Sequence, residues 1–208
     1  GVVAGLCDLF REDVSDIEGL IFPGESKPKL PHKKYVSSLD VRFEEDLVDY
    51  YWKYSGMLNI QTKRGCPYNC VYCSYPVIDG RKIRTLDPDK IVSDIKYLKE
   101  TKKINYFFFT DSVFNICDEF NIELANKLIE ADVKIRWGAY FSPKNLPEEH
   151  LKLFKESGLT HIEFGTESLS DEALKAYGKN FTFADIKKAS DLCVKHGVYY
   201  AHFLILGG

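Results

Sequence analysis

The sequence is 208 residues long, 45% hydrophobic and 28% charged, with a formal net charge of −3, a make-up that suits a soluble globular domain with an appendage. No apolar run reaches the length of a membrane span, no signal-peptide pattern opens the chain, and no basic block suggests a phosphate-tracking surface. Nothing in composition or charge points to a membrane span or to nucleic acid, and an unidentified small or neutral substrate is the default.

Residues 1–56 differ in pattern from the rest and read as a lead-in or linker. Within them, Asp16 to Phe22 suits a short strand, Pro23 to Lys34 a loop, and Glu44 to Tyr54 an amphipathic helix with Leu47, Val48, Tyr51 and Trp52 as its apolar residues. From residue 57 to 208 the pattern becomes strand, loop, helix, repeated. Leu58 to Thr62 is a predicted strand, and Asp87-Pro88 supplies an N-cap and a first-turn proline for a helix to about Glu100.

Ile104 to Thr110 carries an unbroken aromatic run over Tyr106 to Phe109, as expected of a strand buried on both faces. A helix over Glu119 to Ala131 and a strand over Val133 to Tyr140 follow. Pro147 to Ser157 reads as a helix closed by Gly158, and Leu159 to Gly165 as a strand. Thr182 to Asp185 resembles a capping box opening a helix that Gly197 ends, and Val198 to Leu206 is the last strand.

Five strands alternating with helices predict a parallel α/β sheet, either open or a barrel cut short, with its chemistry at the C-terminal strand ends. The chain starts without Met and stops at Gly207-Gly208 just after a strand, so it reads as a piece of a longer polypeptide.

Six cysteines are present, at 7, 66, 70, 73, 117 and 193. Three of them fall within eight residues, in Lys63-Arg64-Gly65-Cys66-Pro67-Tyr68-Asn69-Cys70-Val71-Tyr72-Cys73-Ser74, where the first predicted strand ends. A disulfide scaffold would be shorter and denser in cysteine, so a reducing cytoplasm and a metal site fit better. Three thiolates on one short loop can each hold one iron of a [4Fe–4S] cubane and leave the fourth iron open. A ferredoxin site takes a fourth cysteine, and structural zinc a closed set of four ligands, which here would need Cys117, Cys193 or a histidine. Cys117 and Cys193 otherwise read as buried thiols, with Cys117 near enough to the active face to be reactive.

This C-x3-C-x2-C loop after the first strand resembles the signature of the radical S-adenosylmethionine (SAM) superfamily, with Tyr72 in the aromatic position before the third cysteine. The resemblance implies a partial (β/α)6 TIM-like barrel, here truncated after the fifth strand, in which Cys66, Cys70 and Cys73 hold a [4Fe–4S] cluster. It implies that SAM chelates the open iron, and that reduction releases a 5′-deoxyadenosyl radical, with flavodoxin or ferredoxin as the electron donor.

The same resemblance assigns the later strand ends. Asp111 and Ser112, in Thr110-Asp111-Ser112, stand where the family carries a Gly-Gly-Glu-like segment and would accept from the SAM ammonium. Glu167 and Ser168, in Gly165-Thr166-Glu167-Ser168, match a Gly-x-Glu-Ser strand end, with Glu167 toward the ribose and Lys179 toward the SAM carboxylate. Ile205 and Gly207 would border the adenine. His161 and His202, on strands that could face the barrel interior, read as structural residues, and Trp137 and Tyr140 as core packing, with substrate contact the lesser reading.

The lead-in together with the Lys63 to Cys70 text also looks like members with an N-terminal cobalamin-binding domain, which often carry out radical methylation or ring-forming chemistry. The Asp-x-His-x-x-Gly cobalamin motif is absent from these residues. A methylthiotransferase-like enzyme acting on tRNA or protein is the alternative within the superfamily, and a non-catalytic iron–sulfur or zinc module the alternative outside it.

Overall fold

Capping residues set several of the helix boundaries in the computed structural model, which describes residues 43–207. The strand and loop expected within 16–34, and Cys7, lie outside the described residues. Helix α1 (Glu45–Ser55) ends on Gly56 in the left-handed conformation. Strand β1 (Leu58–Ile60) leads into β2 (Lys63–Arg64), then the cysteine loop, a short helix α2 (Tyr75–Ile78) and β3 (Arg84–Thr85). Helix α3 (Pro88–Lys102) opens as expected, with the Asp87 carboxylate accepting from the Asp89 amide and Pro88 in the first turn.

Strand β4 (Tyr106–Phe109), a 3₁₀ turn over Phe114–Ile116, α4 (Asp118–Glu130) and β5 (Arg136–Phe141) come next. They are followed by α5 (Glu148–Glu156), β6 (Leu159–Glu167), α6 (Asp171–Ala176), α7 (Phe183–His196) and β7 (Tyr199–Leu204). The predicted capping box is formed by Thr182 and Asp185, and Gly197 closes α7 with φ +60°. The two-residue strands β2 and β3, the short helices α2 and α6 and the 3₁₀ turn go beyond the sequence reading.

The main sheet has five strands in the order β1-β4-β5-β6-β7, every neighbouring pair parallel, while β2 and β3 form a separate antiparallel pair. Each strand's neighbour in the sheet is therefore its neighbour among the five in sequence. The intervening helices supply the crossovers that parallel pairing needs.

One hydrophobic core lies between the sheet and its helices. Phe107 and Phe109 from β4, Trp137, Ala139 and Phe141 from β5, and Ile162 and Phe164 from β6 all face it. Phe114, on the 3₁₀ turn, stacks on Phe109 and packs against Trp137, Phe141 and Phe154. Each such fully buried aromatic contributes about 1.5–3 kcal/mol through the area it takes from water.

Val48 of α1 joins the same core, and Lys102 on α3 pairs with Glu45 and Asp49 of α1. The helix that the sequence reading placed in the lead-in thus packs with the sheet, and the described residues form one compact unit. Among the described residues, no helix is long and apolar enough to cross a membrane.

Candidate active site

The cysteine loop is held from two sides. Its amides are satisfied at Cys66 by the Gly80 carbonyl (3.0 Å) and at Val71 by the Tyr177 carbonyl (3.0 Å), and Arg81 donates to the Tyr68 carbonyl and to Asn69 Oδ1. Gly65 has φ +93°, and a Cβ there would collide with the Lys82 carbonyl. Gly178 (φ +72°) faces the loop from the end of α6, where a Cβ would sit 2.5 Å from the Asn69 carbonyl oxygen. Both positions combine a left-handed backbone with a close approach, which only glycine tolerates.

Cys66, Cys70 and Cys73 are all unpaired thiols. Burial pushes the Cys66 and Cys70 thiols up, the charges of neighbouring cysteines add to this, and the Lys179 ammonium draws Cys70 back down. Among the described residues, no group of three histidine, cysteine or acidic side chains is gathered tightly enough to hold a single metal ion.

Below the loop lies a buried polar knot. Lys63 and Asp111 are each about 1% exposed and pair at 2.8 Å. The two Asp111 oxygens take four protein donors: the Thr62 amide (2.7 Å), the Thr62 hydroxyl (2.5 Å), the Lys63 amide (2.9 Å) and the Lys63 ammonium. Lys63 Nζ also donates to Asn121 Oδ1 (2.8 Å) and lies over the Phe114 ring. Burial lowers the Lys63 pKa, and Asp111 opposes that shift. The knot ties the exit of β1 to the exit of β4, so it fixes where the cysteine loop starts.

Opposite the cysteines stands a second charged group. Lys179 Nζ donates to the Gly165 carbonyl (2.9 Å), sits 3.4 Å from Glu167 Oε1, and lies over the Tyr72 ring. Burial and a hydrogen bond to the Glu167 carboxylate raise the Tyr72 phenol pKa. Glu167 itself has φ +67° at the end of β6, a conformation that costs a non-glycine residue about 1–3 kcal/mol. The β6–β7 register shifts between Phe164 and Glu167, and the Glu167 carbonyl accepts from the Ile205 amide (2.9 Å). This irregularity turns the Glu167 side chain toward Lys179 and Tyr72.

A cavity of about 350 Å³ opens between these groups. Of the residues singled out in the sequence, Cys66, Cys70, Cys73, Tyr72, Asp111, Ser112, Glu167 and Lys179 line it. Asp111 contributes to the wall with its oxygens already engaged, whereas Ser112 Oγ is buried without a protein partner. Ser168, Ile205 and Gly207 are outside the lining: Ser168 Oγ accepts from the Ser170 amide, and Ile205 is tied to Glu167 through its backbone.

The sequence reading missed Tyr68, Asn180, Phe181 and Phe203, which also line the cavity, and gave Tyr140 substrate contact only as its lesser role. Phe203 carries a signal in the sequence as an aromatic residue near the C-terminal end of the last strand. Tyr140, taken as core packing, is 39% exposed and faces the cavity, while Trp137 is in the core as expected.

Known proteins resemble this chain in sequence and in fold. The family model described as the radical SAM superfamily matches residues 60–208. The anaerobic magnesium-protoporphyrin IX monomethyl ester cyclase of Rubrivivax gelatinosus is 30% identical over 146 residues, covering 69% of this chain and 26% of that protein. Among solved structures, the radical SAM methyltransferase TsrM of Kitasatospora setae, with tryptophan substrate and a SAM analogue bound, aligns with a TM-score of 0.67 at 22% identity. That alignment covers 74% of this chain and 31% of TsrM.

The cobalamin-dependent SAM radical enzyme OxsB, with aqua-cobalamin and SAM bound, aligns with a TM-score of 0.65 at 22% identity, over 77% of this chain and 25% of OxsB. The chain thus spans roughly a quarter to a third of each of these proteins, and their folds match its parallel α/β sheet as a partial TIM-like barrel. With the family match running from the first strand to the last residue, this chain belongs to the radical SAM superfamily.

Proposed function

We propose that the chain is the SAM-cleaving core of a radical enzyme, with Cys66, Cys70 and Cys73 holding a [4Fe–4S] cluster and SAM lying across the cavity. The observation that carries this reading is Ser112 Oγ, a buried hydroxyl in the cavity wall without a protein partner. Leaving such a group unpaired costs about 1–3 kcal/mol, which a ligand's polar group would remove. Three free thiols on a short loop held from two sides suit a cluster that takes one cysteine per iron.

The chemistry supplied by the bound pair is one-electron reduction of the sulfonium, with release of methionine and a 5′-deoxyadenosyl radical. The chain's own residues bind and orient. Ser112 is the free acceptor for the SAM ammonium, because Asp111 is engaged by four donors. Glu167 is held facing the cavity by Tyr72 and Lys179, where it can accept from ribose hydroxyls. Lys179 offers its remaining donor capacity to the SAM carboxylate. Anaerobic reconstitution with iron and sulfide should load about four iron per chain, and reduced samples should convert SAM to 5′-deoxyadenosine. Zinc retained with no iron uptake would overturn the reading.

The relatives also support a finer reading, as the core of a cobalamin-dependent radical methyltransferase. TsrM and OxsB, of matching fold, are described respectively as a radical SAM methyltransferase and a cobalamin-dependent enzyme. The Asp-x-His-x-x-Gly motif is absent from this sequence, so the corrin would be bound by residues outside it. A corrin absorption spectrum from the natural-length gene product, purified after cobalamin feeding, tests this. A product loaded with iron and SAM but free of corrin contradicts it.

A further inference from the structure

Alternation along the strands gives the sheet a second face, turned away from the helices. Phe107 and Phe109 point into the core, so Tyr106 and Phe108 point the other way. The parallel register continues this face across β5 and β6: Phe108 aligns with Gly138, Gly138 with His161, and Tyr140 with Glu163. Its side chains adjoin the candidate site. Tyr140 and Phe203 line the cavity and approach each other at 6.4 Å, and Phe108 meets Tyr140 at 4.9 Å and His161 at 5.6 Å between ring centroids.

Three polar side chains lie at the foot of this aromatic wall. Tyr106 Oη is 2.5 Å from His161 Nδ1, and His161 Nε2 is 3.5 Å from Glu163 Oε1. Gly138 makes room for them, since a Cβ there would run into the His161 ring. The hydroxyl donates to Nδ1 when Nε2 carries the proton, and that N–H then faces Glu163. Glu163 is a quarter exposed, and beyond this one long ion pair it has no other hydrogen-bond or ion-pair partner among the described residues. Its charge reaches both flanking phenols, raising the Tyr106 and Tyr140 pKa values after burial, while Arg136 covers Tyr106 from the far side.

A carboxylate with spare acceptor capacity, oriented by an imidazole and walled by aromatic rings, selects for a donor that is cationic or N–H bearing on an apolar body. We propose that this inner face is the substrate-recognition site, taking a compound that presents a protonated amine or N–H group to Glu163 and an aromatic or apolar ring to Phe108, Tyr140 and Phe203. The substrate role rests on the SAM reading of the adjoining cavity, but the binding chemistry does not.

The test uses the full 208-residue chain and two probes of similar shape, 2-phenylethylamine and 3-phenylpropionate. Binding is followed by NMR at the His161 Cε1–H resonance, identified with His161→Gln. The amine should shift this resonance and bind at least tenfold more tightly than the carboxylate, and Glu163→Gln should abolish the preference. Glu163→Asp, which shortens the reach and keeps the charge, should retain part of it, and circular dichroism confirms that each variant folds.

Equal binding of the two probes, or an amine preference that survives Glu163→Gln, would overturn the proposal. The same wild-type preparation, loaded with cluster, is assayed for SAM cleavage. Cleavage without amine preference overturns the recognition site alone, and amine preference without cleavage supports the site while overturning the SAM reading.

Discussion

Lys63 shows how one buried charge can set the position of a reactive loop. Its ammonium meets Asp111, Asn121 and Thr62 with about 1% exposure, so removing either member of the ion pair strands the other in a low-dielectric site. Lys63→Met should lower unfolding free energy by about 3–5 kcal/mol, and Asp111→Asn by a comparable amount. The double variant should lose well under the sum, because neither charge is then left unpaired. Denaturant midpoints across the four proteins check this, and strict additivity would show that the pair is not coupled.

None of that knot was legible in the sequence. Lys63 reads there as one of two basic residues before a glycine, and its partner is 48 residues away. Asp111 was legible as an acidic residue at a strand end, which is the position but not the duty. Its four donors come from backbone and side chains that only the β1–β4 pairing brings together. Ser112, its neighbour, gains its importance from what it lacks, and no sequence pattern records that.

At the scale of elements, the junction between α6 and the cysteine loop carries the sharpest constraint. Gly178 has φ +72° and nowhere to put a Cβ except against the Asn69 carbonyl. Gly178→Ala should therefore displace the loop and reduce iron uptake severalfold, with the far-UV dichroism of the helices and sheet unchanged. Metal analysis after reconstitution measures it, and wild-type iron content in that variant would show that the contact does not position the cysteines.

A second junction fastens α5 to the end of α7. The Glu148 carboxylate, in the first turn of α5, pairs with Lys195, His196 and Lys152, which hold its pKa down at about 2. The free carboxyl titrates near 4.3, so the contribution to stability is complete above that value and is lost as the pH falls toward 2. Glu148→Gln should flatten the acid limb of the thermal stability profile across that window. An unchanged limb would contradict the pairing.

Helices with strong caps were read almost to the residue: Asp87-Pro88 and the Thr182–Asp185 box left little choice. Strands β2 and β3 were not, since two residues carry no period. The left-handed Glu167 was equally hidden, because its conformation is imposed by the β6–β7 register shift rather than by residue type.

For the whole molecule, parallel strand order brings distant sequence to one edge. The cysteine loop follows β1, Ser112 follows β4, and Glu167 ends β6, so the cavity forms where successive C-terminal strand ends meet. The face below it carries Tyr140 into the cavity wall, with Glu163 and His161 beside it on the neighbouring strand and outside the lining. Sequence alone located the cysteines and the strand ends and placed His161 on a strand that can face the interior, but the pairing of His161 with Tyr106 and Glu163 depends on strand register that no local pattern records.

The central claim is that the three cysteines and the opposing wall together bind one cluster and one SAM. Electron paramagnetic resonance on the anaerobically reconstituted, dithionite-reduced chain, with and without SAM, tests it most directly. The account predicts a [4Fe–4S]⁺ signal that moves on adding SAM, with Ser112→Ala needing more SAM for the same change and Cys70→Ala giving no signal. A cluster signal indifferent to saturating SAM would contradict it.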